Sequence, residues 1–402
     1  MKRRLYAWLV PLYRLVLWIG MPRNTRLSKS LRRVLVVRHD RLGDMILTTP
    51  VFDLLAELAP GVEIDVLASP KNAALVKGDD RVRQVFEDDG TWRGLWRLRP
   101  LLQLRQYDAV FSLIPGRSIR EGWTAAAASH ALTHRVSIWR PKRYHGFFTR
   151  VVRLPRSVAQ GHVSRQMSYV VRAAFGKARG DPAVASALAA PIRVAIPAAS
   201  RAAADAWVAS NHLGAFVTVN VASAAPARSW SAAECARLLP VLLEGHPALS
   251  FVLVPGPADV ADAELVRATV GSPRVLVFDA RAPLLTVAAL VSHAALMITP
   301  DTMTLHLAVA TGRPVLSLHT VTDGNVPDLW KAVGVPSRAL VAAAGEPVGA
   351  IRAESVAAAF ESLALEVGLV GESGGRGGAR EGHVHGGAQE GHVHHRDTGH
   401  TE

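Results

Sequence analysis

The sequence predicts an α/β protein made of two doubly wound parallel sheets facing each other across a cleft. Three observations carry this expectation. The chain has 402 residues, beyond the roughly 250 to 300 at which one hydrophobic core stops growing. It is 49% apolar and 20% charged, the balance of a chain that folds around buried cores. Short β-branched runs alternate with helical patterns, as in parallel sheets covered by helices, and the alternation occurs twice.

In the first half the runs are Val34 to Arg38, Val62 to Ala68, Val82 to Phe86, Tyr107 to Ile114 and His134 to Trp139. In the second half they are Phe216 to Ala222, Leu249 to Gly256, Arg274 to Asp279, Ala295 to Pro300 and Pro314 to His319. Helical segments fill most gaps, and a helix from Ile351 to Val367 closes the folded part. The division falls near Ala189 to Ser200, where APIRVAIPAAS carries two prolines. The expected organisation is a basic leader over residues 1–30, a first domain over 31–195, a second over 196–369 and a tail over 370–402. Sheets of this kind bind ligands outside the carboxyl ends of their strands, so the residues just after each strand matter most.

The leader segment from Leu5 to Gly20, LYAWLVPLYRLVLWIG, is almost wholly apolar and flanked by Lys2, Arg3, Arg4, Arg23 and Arg26. It falls short of the roughly 20 apolar residues that span a bilayer. The favoured reading is an interfacial helix, its tryptophans and tyrosines at headgroup depth and its arginines on anionic lipid. The alternatives are a first helix packed on the core, and a signal segment, against which stands the sequence Met21, Pro22, Arg23 where a small-residue cleavage site belongs.

Lysine and arginine total 46 against 33 acidic residues, a formal charge of +13. Nine basic residues and no acid lie between Met1 and Arg33; ten basic residues between Arg117 and Arg165 face only Glu121. The partners this favours are anionic: nucleic acid, a phospholipid surface or a phosphorylated glycan. Nucleic acid ranks last, because the basic stretch lacks the aromatic platform that stacks single strands. Cys235 is the only cysteine, so no internal disulfide forms and a cytoplasmic setting is expected. The Gly- and His-rich tail reads as disordered and holds six of the 16 histidines; their close spacing supports at most adventitious metal binding.

Three segments carry candidate chemistry. RHDRLGDMILTTP, Arg38 to Pro50, follows the first strand and opens a helix, with Gly43 allowing close backbone approach and Asp44 near the helix start. There a carboxylate is either a proton acceptor for a hydroxyl or an ordinary helix cap. TPDTMTLHLAVATGRPV begins at Thr299, and its helix amides make a phosphate seat that the Thr302 and Thr304 hydroxyls extend. Asp301 reads equally as an acceptor for sugar hydroxyls or as the cap, and His306, one turn on, as a hydrogen-bond donor to a phosphate oxygen or a satisfied core histidine. VNVASAAPARSWS places Arg228 in a loop after a strand, where it is either a guanidinium that forks onto a pyrophosphate or an ordinary exposed arginine.

Together RHDRLGDMILTTP, HVSRQ from His162, SAAPARSW and PDTMTLHLAVATGRPV resemble glycosyltransferase family 9, which includes the ADP-heptose:lipopolysaccharide heptosyltransferases. The resemblance covers roughly Val34 to Val367. It implies a GT-B fold and metal-independent, inverting transfer from an ADP-sugar held by the C-terminal domain to an acceptor held by the N-terminal one, with no cofactor required. By position, Asp44 is the general base; Arg228 stands where the family usually places lysine; Asp301, Thr302 and His306 match the donor-binding turn; and His162 and Arg165 match a conserved helix start. Ser223 retains one of a hydroxyl-bearing pair whose second place is Ala224. Met303 stands where glycine is common, beside Thr304, which puts a side chain next to the donor phosphates. Arg41, Arg117, Arg120, His162 and Arg165 are the candidates for an anionic lipopolysaccharide-type acceptor at the inner face of the cytoplasmic membrane.

Two other function classes compete. A dinucleotide oxidoreductase is disfavoured because no GxGxxG follows Val34 or Phe216. A family member without turnover, acting as a glycan- or membrane-binding scaffold, is raised by Met303 and Ala224.

Overall fold

The computed structural model describes residues 26–114, 119–138, 146–177, 190–223, 225–321 and 326–369. The leader up to residue 25, Trp139, Arg117, Ala224 and the tail lie outside them.

The first sheet contains β1 (Arg33–Arg38), β2 (Glu63–Ala68), β3 (Gln84–Glu87), β4 (Ala109–Ser112), β5 (His134–Ile138) and β6 (Arg150–Val152). The second contains β7 (Phe216–Val219), β8 (Ser250–Leu253), β9 (Val275–Val277), β10 (Leu296–Pro300), β11 (Val315–His319) and β12 (Ser337–Val341). Their orders are β3-β2-β1-β4-β5-β6 and β12-β11-β10-β7-β8-β9. Every pairing is parallel. Read outward from its first strand, each sheet has the doubly wound order 3-2-1-4-5-6. The strand order therefore reverses between β1 and β4 in one half and between β7 and β10 in the other, leaving a crevice at each place.

The helices are α1 (Leu42–Thr48), α2 (Pro50–Leu58), α3 (Trp92–Leu104), α4 (Ile119–Ala127), α5 (Arg156–Ala159), α6 (Val163–Ala174), α7 (Ala198–Ser210), α8 (Ala232–Gly245), α9 (Val260–Val270), α10 (Leu284–His293), α11 (Met303–Ala310), α12 (Pro327–Trp330) and α13 (Ala353–Glu366). Local chemistry sets several starts. Thr91 accepts from the Gly94 amide at 2.9 Å to cap α3, and Ser231 accepts from the Glu234 amide at 3.4 Å to cap α8. Pro50 opens α2, where its missing N–H costs nothing. The central strand RVLVVR is buried from Val34 to Arg38, as a parallel strand covered by helices on both faces must be.

Ten of the twelve strands lie within or beside the expected runs. β7 stops at Val219, three residues early, because the Asn220 side chain turns back to bond both the Ala222 amide and carbonyl, each at 3.1 Å. The sixth strand of each sheet, β6 and β12, had no counterpart among the expected runs.

The halves are joined by more than the connecting segment. One apolar cluster takes Met45, Leu47, Val51 and Val170 from the first half and Leu285, Leu305 and Leu307 from the second. The connecting segment is itself anchored: Ile192 is buried in that cluster, and the Arg193 amide donates to Thr49 Oγ1 at 3.2 Å. In this GT-B arrangement α1 packs on α11, so the carboxyl ends of β1 and β10 point toward each other.

Candidate active site

At the end of β1 the chain buries an arginine. Arg38 is 0% exposed, a costly position for a guanidinium unless its charge is met. Its Nη1 donates to the Leu113 carbonyl just after β4 at 2.6 Å, and its Nε donates to the Asp44 carbonyl at 3.2 Å. Its charge is met by Asp44 Oδ1 at 3.0 Å and Asp40 Oδ1 at 3.3 Å. One side chain thus closes the β1/β4 crevice and fixes the Asp44 carboxylate, which keeps 11% of its side-chain surface open. Burial pushes the Asp40 carboxyl up to about 6; Arg38 opposes that, and the nearby Asp44 and Glu121 reinforce it.

The opposite half is built alike. Asn220, the first residue after β7, is 5% exposed and donates to Thr302 Oγ1 at 3.2 Å and Thr304 Oγ1 at 2.9 Å. The two threonine hydroxyls lie 2.6 Å apart, and Thr299 Oγ1 is 2.8 Å from that of Thr304. This network holds the turn between β10 and α11. Thr302 occupies the cap position of α11 without a side-chain bond to a helix amide, and no acid lies in the helix's first turn. An uncapped first turn free of acids suits an anion.

Asp301 is 4% exposed, and its Oδ2 lies 3.7 Å from Arg228 Nη1. Arg228 closes a short 3-10 turn, Pro226–Arg228. Ser223 closes that loop: its amide donates to Ser229 Oγ at 2.9 Å, and the Ser229 hydroxyl donates back to the Ser223 carbonyl at 3.2 Å. Met303 is half-buried and packs on the apolar cluster shared by the halves.

Where the halves touch, a Cβ on Gly43 would lie 2.7 Å from His306 Cδ2. Only glycine fits beside that ring. His306 is 4% exposed and His162 3%. Burial lowers His306 to about 3, with His162 and His319 adding repulsion; it lowers His162 to about 4, with Arg165 and Lys331 adding repulsion. Both rings are therefore neutral near pH 7. His162 caps α6, its Nδ1 accepting from the Ser164 amide at 3.3 Å.

The remaining candidates spread along the first half. Arg41 is exposed at the start of α1, and Arg165 is exposed on α6. Arg120 forks onto the buried Asp88 and donates to the Thr91 carbonyl at 3.0 Å. Arg117 lies outside the described residues. Sequence reasoning missed Arg38 as a functional neighbour of Asp44, and missed Asn220. The available signal was a polar residue at the carboxyl end of each sheet's first strand.

The sequence profile of glycosyltransferase family 9 (heptosyltransferase) matches residues 96–344, more than half of the chain. The chain belongs to this family. It is a glycosyltransferase, and the profile match takes in Arg228 and Asp301 while the Asp44 segment precedes it. Among solved structures, a family 9 glycosyl transferase from Veillonella parvula superposes with a TM-score of 0.70 at 20% identity, over 84% of this chain and 100% of that one. The E. coli ADP-heptose lps heptosyltransferase II gives 0.67 at 17% identity, over 83% and 99%. E. coli heptosyltransferase WaaC, solved with ADP, gives 0.62 at 18% identity, over 84% and 100%. These likenesses establish the shared fold. No curated protein sequence matches the chain. Among the described residues no helix is long and apolar enough to cross a membrane.

Proposed function

We propose that this glycosyltransferase moves a heptose or a related sugar from an ADP-sugar to an anionic glycolipid acceptor of the lipopolysaccharide inner-core type, with inversion. The observation that supports the reading is the packing of α1, the helix of Asp44, on α11, the helix that Thr302 opens. The half over residues 196–369 holds the donor and the half over 31–195 the acceptor.

Asp44 takes the proton of an acceptor hydroxyl as that oxygen bonds to the anomeric carbon. The bond from that carbon to the ADP phosphate oxygen breaks on the opposite face, and the electron pair leaves with ADP. Arg228, the Thr302 hydroxyl and the first amides of α11 meet the charge that develops there. Ser223 shapes the loop carrying Arg228, Thr304 holds Thr302, and Asp301 accepts from sugar hydroxyls. Met303 keeps its amide available while its side chain turns to the apolar cluster. His306, neutral and buried, sets the spacing between the halves. Arg41, Arg117, Arg120 and Arg165 draw the acceptor's anionic groups, and His162 holds the start of α6, the helix that carries Arg165. No step is routed through a metal or cofactor. The enzyme works at the cytoplasmic membrane face, with the basic leader as one contact.

Calorimetric titration with ADP, ADP-heptose and UDP-glucose tests the donor half. Selective adenine-nucleotide binding that weakens about tenfold or more in Arg228→Ala is expected, the loss of a charge-assisted contact. A UDP preference would overturn the donor. Asp44→Asn is expected to lose transfer by about 10²- to 10⁴-fold while donor binding persists; unchanged transfer would remove Asp44 as base.

A further inference from the structure

Helix α3 turns an unusual face outward. Its inner side is ordinary, with Leu95 and Leu102 buried. On the outer side Trp92 is 41% exposed, Trp96 60%, Leu101 51% and Leu104 78%. Of the twelve large apolar side chains exposed among the described residues, these four share one helix and include both tryptophans. Trp92, Leu95, Trp96, Arg99, Trp123 and Ala127 line an apolar groove between α3 and α4. Trp92 meets Trp123 edge-on at 6.4 Å, so the groove has rigid aromatic walls.

The same face is cationic. Arg93, Arg97 and Arg99 are exposed on it, and no acid occurs between Asp89 and Asp108. Arg97 meets Asp89 at 3.0 Å, and Arg99 lies over the Trp96 ring at 5.3 Å. A face of exposed leucine, tryptophan and arginine matches one environment above others. Leucine enters the acyl boundary, tryptophan sits at headgroup depth, and arginine meets lipid phosphate.

Its place in the fold matters too. α3 begins at the carboxyl edge of the first sheet, where Asp88 holds Arg120 at the start of α4 and His39 just after β1, the latter at 3.5 Å. The aromatic groove therefore opens beside the Arg38–Asp44 crevice.

We propose that the outward face of α3 docks on an anionic phospholipid bilayer and lays the acceptor side of the cleft against the membrane. The purpose of that docking rests on the glycolipid acceptor proposed above; the surface itself does not.

The test uses the full chain carrying Leu104→Cys. Cys235 is 0% exposed, so an environment-sensitive dye labels residue 104 alone. Vesicles of equimolar phosphatidylglycerol and phosphatidylethanolamine are expected to shift its emission to the blue, and phosphatidylcholine vesicles are not. In the unlabelled chain, Trp96→Ser with Leu104→Ser is expected to lower affinity for the anionic vesicles at least about tenfold, because two partly inserted apolar side chains are removed. ADP binding should not change. Vesicle binding that survives this double substitution without a dye shift would overturn the proposal and leave the leader as the contact; equal binding to both vesicle types would overturn its electrostatic half. A dye shift in a chain that ignores ADP-sugars would keep the docking surface and reject the proposed reaction.

Discussion

Arg38 is the residue on which the first crevice depends. It pairs with Asp40 and Asp44, and its charge opposes the burial that raises the Asp40 carboxyl. Arg38→Met leaves these carboxyls in a buried place without their cation, a change that costs about 3 to 5 kcal/mol. Transfer should fall in this variant while ADP-sugar binding in the other half persists, since the base loses the partner that holds its carboxylate in place. Arg38→Lys should keep only part of the rate, because a point charge does not reproduce the contacts with Leu113 and Asp44. Transfer unchanged in Arg38→Met would mean that Arg38 only supports the fold. Gly43 makes a sharper geometric case. A methyl there meets His306 at 2.7 Å, so Gly43→Ala should cost about 1 to 3 kcal/mol by overpacking. His306→Ala in the same chain should return part of that stability, a coupling read by denaturant melts of the double-mutant cycle.

At the scale of elements, the two crevices share a device that the sequence partly displayed. Arg38 follows Val37 at the end of β1 and reaches past β4; Asn220 follows β7 and reaches the threonines after β10. The places of Asp44, Arg228, Asp301 and Thr302 just after strands were legible because each follows a β-branched run, Asp44 in the first turn of α1 and the others in polar turns. Arg38 and Asn220 were not, because what they do depends on which strand lies beside their own, and strand order is not written in one run of residues. The missed strands have a similar cause. β6 has three residues, and β12, SRALV, is half exposed along its length. Both lie at sheet edges, where one neighbour and partial burial leave a weak apolar pattern. Asn220→Ala tests the device in the donor half. It unties Thr302 and Thr304 from β7, and the loss of bonds worth about 1 kcal/mol each should raise the ADP-sugar Kd five- to tenfold in calorimetry. Asn220→Ala with unchanged donor affinity would separate the threonine network from the phosphate seat.

For the whole molecule, the decisive surface is the one between the halves, and it carries two histidines that burial keeps neutral. His162 is lowered to about 4 and His306 to about 3 from an ordinary 6.5. Their folded values are depressed, so the stability they contribute is present above about pH 6.5 and is lost as pH falls toward 4. At about pH 5 each costs about 2 kcal/mol, since the unfolded ring is protonated and the folded one is not. Asp40 works the other way. Its raised value of about 6 stabilises the fold below pH 4, and that share is lost as pH rises through 6; at about pH 5 it returns about 1 kcal/mol. The histidines outweigh it, leaving a net loss of about 3 kcal/mol between pH 7 and 5. His319, also lowered by burial with Lys331 opposing its charge and Asp301 favouring it, adds to the same side. Because Gly43 and His306 meet across the halves, the cost is paid at their contact, and partial separation should precede unfolding. Small-angle scattering across pH 7 to 4.5 should show the radius of gyration rising before far-ultraviolet circular dichroism changes. His162→Asn, which keeps a cap at α6 and cannot titrate, should remove about 2 kcal/mol of the stability lost between pH 7 and 5. A simultaneous loss of compactness and secondary structure would place the acid-sensitive step in the sheets, and an unchanged pH slope in His162→Asn would remove that ring from the account.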